Sequence, residues 1–485
     1  DLGSKIRLAY ALLATSAHAS RVGAPHMYAI SALCHDLGDI PHTTDPMTLR
    51  RKSRDQFVIS PLLRSELAGN IADLVVTPRD KAELAHAVGA AVRHRIPITP
   101  RGGGTANYGQ SVPLQGGMVL DMTDLDGIVS IGQGVIRAQA GANMAQMEAA
   151  ARAKGWELRL FPSTIASSTI GGFVAGGSGG IGSAMWGMLR DRGNIGAIEV
   201  MSAEESPRVF DISGDEVELV HHAYGANAII TEIEMPLGPA WDWRACIVAF
   251  PAFDGALRFG AQLARETGLL RRLASVHEWP IPGLMRDLKG VVPQDHSMVI
   301  CFIAPPSLAS FQSMVAEFGG HVVADHGLDE TPFGAPLHEF AYGHGLRQLQ
   351  KTIPGLTGLQ GMFRGPAMFD AIAAVRSGVS REEPFRLEMF WSDGEVVAMG
   401  SPQIVWRDAR QMADLVALIQ SSGGVVANSH TTGVREVGIK RITERDVAFK
   451  QEMDPHGLLN PGKLNLEGVQ TSALQTSGWR FRARS

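Results

Sequence analysis

The sequence predicts an α+β protein of two mixed helix-and-strand units, an expectation that rests on three observations. A strand, a helix and a second strand succeed one another from Leu74 to Thr99 and run into Pro100-Arg101-Gly102-Gly103-Gly104. From about Trp241 to Ser421, short β-rich runs alternate with helical stretches. Between them glycine is concentrated: of 55 glycines, eight fall between Gly171 and Gly187. Glycine is costly inside helices and strands, so such clustering marks backbone that bends sharply or approaches something closely.

Composition narrows the function. The 485 residues leave room for several domains at roughly 100–200 residues each. A content of 45% hydrophobic residues with a net charge of −5 excludes disorder for the bulk of the chain. A pI near 6.4 argues against binding a nucleic-acid backbone. Cys34, Cys246 and Cys301 are odd in number and far apart, so neither a disulfide framework nor a cysteine zinc knuckle is expected. The apolar run Leu8–Ala14 is too short to span a bilayer and lacks a signal-peptide pattern, which points to a soluble, cytoplasmic protein.

Residues 1–52 read as an appendage with a helix near Ile6–Ser16. Leu74–Val76 is a strand, Asp80 and Glu83 form a capping-box pair, and Leu84, Val88, Ala91 and Val92 recur at helical spacing. Ile96–Thr99 and Met118–Asp121 are strands, and Ile128–Ile131 with Val135–Ala140 is a hairpin about Gly132-Gln133-Gly134. Ala142–Lys154 is helical and capped by Gly155. Ile195–Met201 and Arg208–Ile212 are strands, and Ala228–Met235 is a β-rich run stopped by Pro236. In the second unit, Cys246–Phe250, Ser297–Ile303, Phe385–Phe390 and Val396–Val405 read as strands, and Ala256–Thr267, Leu308–Phe318 and Arg410–Ser421 as helices.

Two glycine-rich stretches call for a phosphate-like partner: residues 101–111, and Pro162-Ser163-Thr164 followed by Thr169-Ile170-Gly171-Gly172 and on to Gly187. Consecutive residues without side chains present N–H groups to one concavity, which suits a pyrophosphate. Gly177, Gly179 and Gly182 satisfy GxGxxG only formally, because no hydrophobic strand precedes them and a poor helix follows.

Pro100–Gly104, the strand ending at Asp121, Pro162-Ser163-Thr164, Thr169–Gly172 and Ala228-Ile229-Ile230-Thr231 resemble, in order and spacing, the flavin domain of the vanillyl-alcohol-oxidase (PCMH-type) FAD-linked oxidases. Asp454-Pro455-His456-Gly457-Leu458-Leu459-Asn460-Pro461-Gly462-Lys463 is similar to their C-terminal signature. The resemblance implies a split PCMH-type FAD-binding domain (53–237, rejoined by 426–470), an α/β ferredoxin-like substrate cap (238–425) and a tail (471–485). It implies that FAD is held by Arg101, Gly102, Gly103, Gly104, Thr105, Tyr108, Gly109, Pro162, Ser163, Thr169, Gly171, Gly172, Ile230 and Asn460. Some relatives attach flavin to a His just after the first glycine run. Thr105 stands there, so noncovalent FAD is expected. The metal-binding His-Gly-Asp-Gly-Asn-Leu-His run of a related branch is missing from the sequence, so no catalytic metal is expected.

The resemblance further implies oxidation of an alcohol or 2-hydroxy acid by hydride transfer to flavin N5, with a protein base taking the hydroxyl proton. His430, in Asn428-Ser429-His430-Thr431-Thr432-Gly433, is the first candidate base, since related enzymes carry a Glu-His-Gly turn there; the alternative is a structural turn. Tyr342 and His344 are further candidates. Arg386 and Glu388 alternate on a strand and share one face. Facing a cavity, Arg386 would hold a substrate carboxylate; facing water, the pair is an ordinary sheet surface. Arg435 is a second carboxylate candidate. Cys34-His35-Asp36 with His42 is too isolated for a phosphohydrolase centre, and His221-His222 reads as a structural junction. Two other activities stay open: flavin-dependent alkyl transfer, as in ether-lipid synthases, and flavin binding without turnover. The expected partners are a small-molecule substrate and an electron acceptor (oxygen, a quinone or a cytochrome), with a homodimer among the open assemblies.

Overall fold

The computed structural model describes residues 28–177 and 179–466, residue 469 and the backbone of Arg482–Ala483. The expected helix near Ile6–Ser16 and most of the expected tail lie outside the described residues.

Residues 28–52 do not stand apart. Helix α1 (Ile30–Leu37) packs on α3 (Lys81–Arg93), and β1 (His42–Thr43) pairs with β2 (Leu74–Val76). Leu33, Leu37 and Ile40 join the main core, a burial that the His-rich, Pro-interrupted sequence masked. β2 and β3 (Ile98–Arg101) flank β4 (Met118–Asp121) in parallel, giving the order β1-β2-β4-β3. α3 begins at Asp80, whose carboxylate accepts from the Glu83 amide at 2.8 Å. Only half of the expected capping box forms, because the Glu83 carboxylate turns to the Arg79 amide and guanidinium.

The second sheet runs β9-β8-β10-β6-β5, from β5 (Ile128–Gly132), β6 (Val135–Gln139), β8 (Ala197–Met201), β9 (Val209–Ser213) and β10 (Ile229–Pro239). The β5–β6 hairpin turns through Gln133 and Gly134, both at positive φ (53° and 76°), the geometry of a two-residue hairpin loop. β7 (Trp156–Leu158), entered from α4 (Met144–Arg152), adds alongside β10, and Arg482–Ala483 along β9. Pro236 does not stop β10, which continues to Pro239. It pairs with Val135 of β6, but on its other edge it falls between the last pair with β8 (Glu234–Ala197) and the first with β7 (Leu237–Leu158), where no ladder partner needs its missing N–H.

The chain changes sheet between Pro239 and Arg244. An eight-stranded antiparallel sheet follows, ordered β14-β11-β13-β12-β16-β17-β15-β18, from β11 (Arg244–Phe250), β12 (Arg271–His277), β13 (Ser297–Ile303), β14 (His321–Gly327), β15 (Gln360–Arg364), β16 (Phe385–Ser392), β17 (Glu395–Pro402) and β18 (Val425–Ala427). Helices Phe253–Arg265, Leu308–Glu317, Met368–Ser377 and Ala409–Ser421 supply its apolar cover, with Phe259, Phe311, Ile372 and Ile419 fully buried. The opposite face meets the first unit through the short helix Ser183–Trp186.

β12 was missed in the sequence because Arg271-Arg272-Leu273-Ala274-Ser275-Val276-His277 shows no apolar alternation, yet every residue of it is buried. Arg272, 1% exposed, stacks on Phe161 and Trp243 with its guanidinium carbon 4.5 and 5.7 Å from the ring centres.

Candidate flavin and active site

Two adjoining cavities of about 390 and 440 Å³ share Pro100, Arg101, Gly102, Thr169, Gly172, Ala175 and Tyr224 and form one groove. Gly171 and Ile230 line one half, Gly103, Gly104 and Thr105 the other. The two glycine stretches press against each other there. A Cβ on Gly102 would lie 2.0 Å from Thr169 Oγ1, and one on Gly103 1.9 Å from the Ser167 carbonyl. Gly104 sits at φ 64° over the Arg101 guanidinium. Among the described residues, the amides of Gly103, Gly104 and Thr105 donate no hydrogen bond. Thr105 and Thr164 hydroxyls both meet Ser168 Oγ, at 2.9 and 2.7 Å. A concavity of bare amides and hydroxyls above a buried guanidinium suits a diphosphate, so these residues fit FAD.

The other candidates lie elsewhere. Pro162 and Ser163 are half-buried in a turn and line neither cavity. Tyr108 is turned away to the cap, with Gln360 donating to its hydroxyl, and Gly109 at φ 69° packs on Leu67. Asn460 acts behind the wall, its Nδ2 donating to the carbonyls of Gln110 and Tyr224, each at 2.8 Å. Tyr224 and Gly225, missed in the sequence, line the groove, and Tyr224 is held at φ 57°, a strained conformation for a side chain. Their one sequence signal is an aromatic–glycine step just ahead of β10. Gly177 and Gly182 serve turns, at φ 71° and 110°, and open no Rossmann helix.

A buried polar cluster lies where the cap meets the first glycine stretch. The helix Tyr342–Gln350 places Gly343 beside Asn107, its Cβ direction 3.4 Å from Asn107 Nδ2. Tyr342, at φ 50°, donates its amide to Glu388 Oε1 at 2.7 Å and pairs its hydroxyl with Ser183 Oγ at 2.9 Å. Arg386 Nη1 donates to Glu388 Oε1 at 2.9 Å and to the Tyr342 carbonyl. The shared face of Arg386 and Glu388 is therefore interior, because β16 lies mid-sheet with Glu388 opposite Ser275 and Arg386 opposite His277. Burial raises the Glu388 carboxyl and holds His277 well below the usual imidazole range.

His344 Nδ1 is bonded to the Glu339 carboxylate, and Arg347 Nη1 lies 3.5 Å from Nε2. Arg347 also reaches Gln56, whose amide bonds the carbonyl of Ala106 in the glycine loop. His430 is 2% exposed, its Nδ1 2.7 Å from Ser60 Oγ, and burial lowers its imidazole to about 4. It lines neither cavity, and Arg435 is exposed. Among the described residues no group of three or more His, Cys, Asp or Glu could hold a metal ion, and no helix is long and apolar enough to cross a membrane.

Residues 72–205 match the FAD binding domain family model. The chain is 30% identical over 188 residues to the glycolate oxidase subunit GlcD of Bacillus subtilis (37% of this chain, 40% of that protein). It is 27% identical over 219 residues to D-lactate dehydrogenase of Archaeoglobus fulgidus (42% and 47%). The chain thus spans less than half the length of these two relatives. An uncharacterised FAD-linked oxidoreductase of Mycobacterium tuberculosis is 22% identical over 414 residues, 79% of this chain and 89% of that one. In fold, the chain is similar to solved alkyldihydroxyacetonephosphate synthase, with a TM-score of 0.67 at 15% identity over 91% of this chain and 87% of the other. With the paired glycine stretches and the groove they build, residues 72–205 are an FAD binding domain, and the chain is similar to FAD-linked oxidoreductases.

Proposed function

We propose that the protein oxidises a small 2-hydroxy acid or alcohol, with His344 as the base. The observation that carries this is the His344–Glu339 pair, next in the chain to Gly343, whose Cβ direction lies 3.4 Å from Asn107 Nδ2 of the first glycine stretch. Bound FAD supplies the two-electron acceptor for a hydride. Glu339 accepts the Nδ1 proton, which leaves the Nε2 lone pair of His344 able to take a hydroxyl proton. Arg347 Nη1 lies 3.5 Å from Nε2 and, through Gln56 and the Ala106 carbonyl, ties this side chain to the glycine loop. Arg386, fixed at Nη1 by Glu388 and the Tyr342 carbonyl, has its Nε without a hydrogen-bond partner among the described residues and offers that donor to a substrate carboxylate. His430 is assigned a structural role, since an imidazole lowered to about 4 and sealed against Ser60 is a poor proton acceptor.

Relatives support the substrate class: glycolate oxidase, D-lactate dehydrogenase and D-2-hydroxyglutarate dehydrogenase are named for 2-hydroxy acids. The test is anaerobic mixing of the flavin-loaded protein with glycolate, D-lactate and D-2-hydroxyglutarate, following flavin absorbance. Bleaching by at least one is expected. An unbleached spectrum with these and with simple alcohols sinks the oxidation reading and favours redox-neutral transfer or binding alone.

A further inference from the structure

We propose that Asp55 and Lys463 are positioning residues for FAD, gripping the far end of the first glycine stretch from two distant parts of the chain. Three consecutive residues of that stretch are each held by a different buried side chain. Lys463 Nζ donates to the Gly109 carbonyl, Asn460 Nδ2 to the Gln110 carbonyl, and the Ser111 amide donates to Asp55 Oδ2 at 3.4 Å. Asp55 Oδ1 accepts from the Phe57 amide at 2.9 Å, which anchors the carboxylate to its own segment. Arg101 Nη1 bonds Ser111 Oγ at 3.2 Å and runs on beneath Gly104, linking this floor to the bare amides.

Gln110 and Ser111 line the groove; Asp55 and Lys463 do not. Their influence on the cofactor therefore passes through residues 109–111. Gly109 holds φ 69°, a conformation that a flexible glycine leaves readily unless its neighbours are pinned. Asp55 is 7% exposed and Lys463 0%. Desolvation raises the Asp55 carboxyl to about 6 and lowers the Lys463 amine to about 7, and each charge offsets the other's burial. A buried charge that loses its opposite costs more than its own hydrogen bond, so the two substitutions are expected to be less than additive, with the Arg101 charge still acting on Asp55.

The test measures FAD affinity of the full-length apoprotein by flavin fluorescence titration, alongside its thermal midpoint, for Asp55→Asn, Lys463→Met and the double variant. Each single change is expected to weaken FAD at least fivefold, and the double variant to bind more weakly than the parent but by less than the product of the two singles. Singles that bind like the parent overturn the proposal, as does a double variant as weak as the product of the singles. Where a single variant does not fold, the double decides: a folded double that binds FAD more weakly than the parent supports the proposal, and parent-like affinity or failure to fold refutes it. A midpoint that falls with affinity unchanged shows a merely structural pair and also refutes it. No substrate enters this measurement, so it stands or falls apart from the proposed oxidation.

Discussion

Gly103→Ala isolates the close approach of the two glycine stretches. Gly103 is absent from the positive-φ positions, so alanine there meets no backbone penalty of that kind and the perturbation is steric. The added Cβ would lie 1.9 Å from the Ser167 carbonyl oxygen, where ordinary contact begins near 3.4 Å. The clash is with backbone, so relief requires the second stretch to move by roughly 1.5 Å. Overpacking of this kind costs about 1–3 kcal/mol. Charged to cofactor binding, at about 1.4 kcal/mol per decade, this is a loss of roughly 5- to 150-fold in FAD affinity. The assay is fluorescence titration of apoprotein with FAD, with Gly132→Ala as control, since a Cβ there meets nothing within 4 Å. If Gly103→Ala binds FAD as tightly as Gly132→Ala, the two stretches do not form one rigid cradle, and the account of the groove fails.

His344→Gln is expected to lower kcat by roughly 10²–10⁴ with FAD affinity unchanged, and Glu339→Gln to act in the same direction more weakly, in steady-state assays with a bleaching substrate. Arg386→Met is expected to raise KM for a hydroxy acid far more than for a neutral alcohol; equal effects on both would remove Arg386 from carboxylate recognition. Acid should destabilise the fold. His222 and His430 are lowered to about 4 by burial, so their contribution is complete above the unfolded value near 6.5 and is lost as pH falls from there toward 4. Each contributes about 3 kcal/mol across that interval, and chemical denaturation at pH 7 and pH 5 should show a lower midpoint at pH 5.

Particular residues show how far the sequence could be read. β2, β4 and β13 were legible residue for residue because each is a short apolar run between turn signals. The β5–β6 hairpin followed from Gln133-Gly134, and α4 from its composition and Gly155. β12 was hidden, since an arginine sandwiched between aromatic rings looks like a surface residue until its neighbours are known. The alternation of Arg386 and Glu388 told that they share a face but not whether it meets water, because that depends on what packs opposite β16.

The flavin cradle is a local property: runs of glycine expose amides wherever they are placed, and residues 102–104 and 171–172 announced it in one dimension. Everything that distinguishes the proposed base, the proposed carboxylate anchor and the groove's proposed supports is a property of distance across the fold. Glu339 against His344, Glu388 beneath Tyr342, and Asp55 and Lys463 on either side of Ser111 and Gly109 owe their roles to burial and to partners brought from other segments. Desolvation and proximity set the charge state of such groups, and neither exists until the chain has packed.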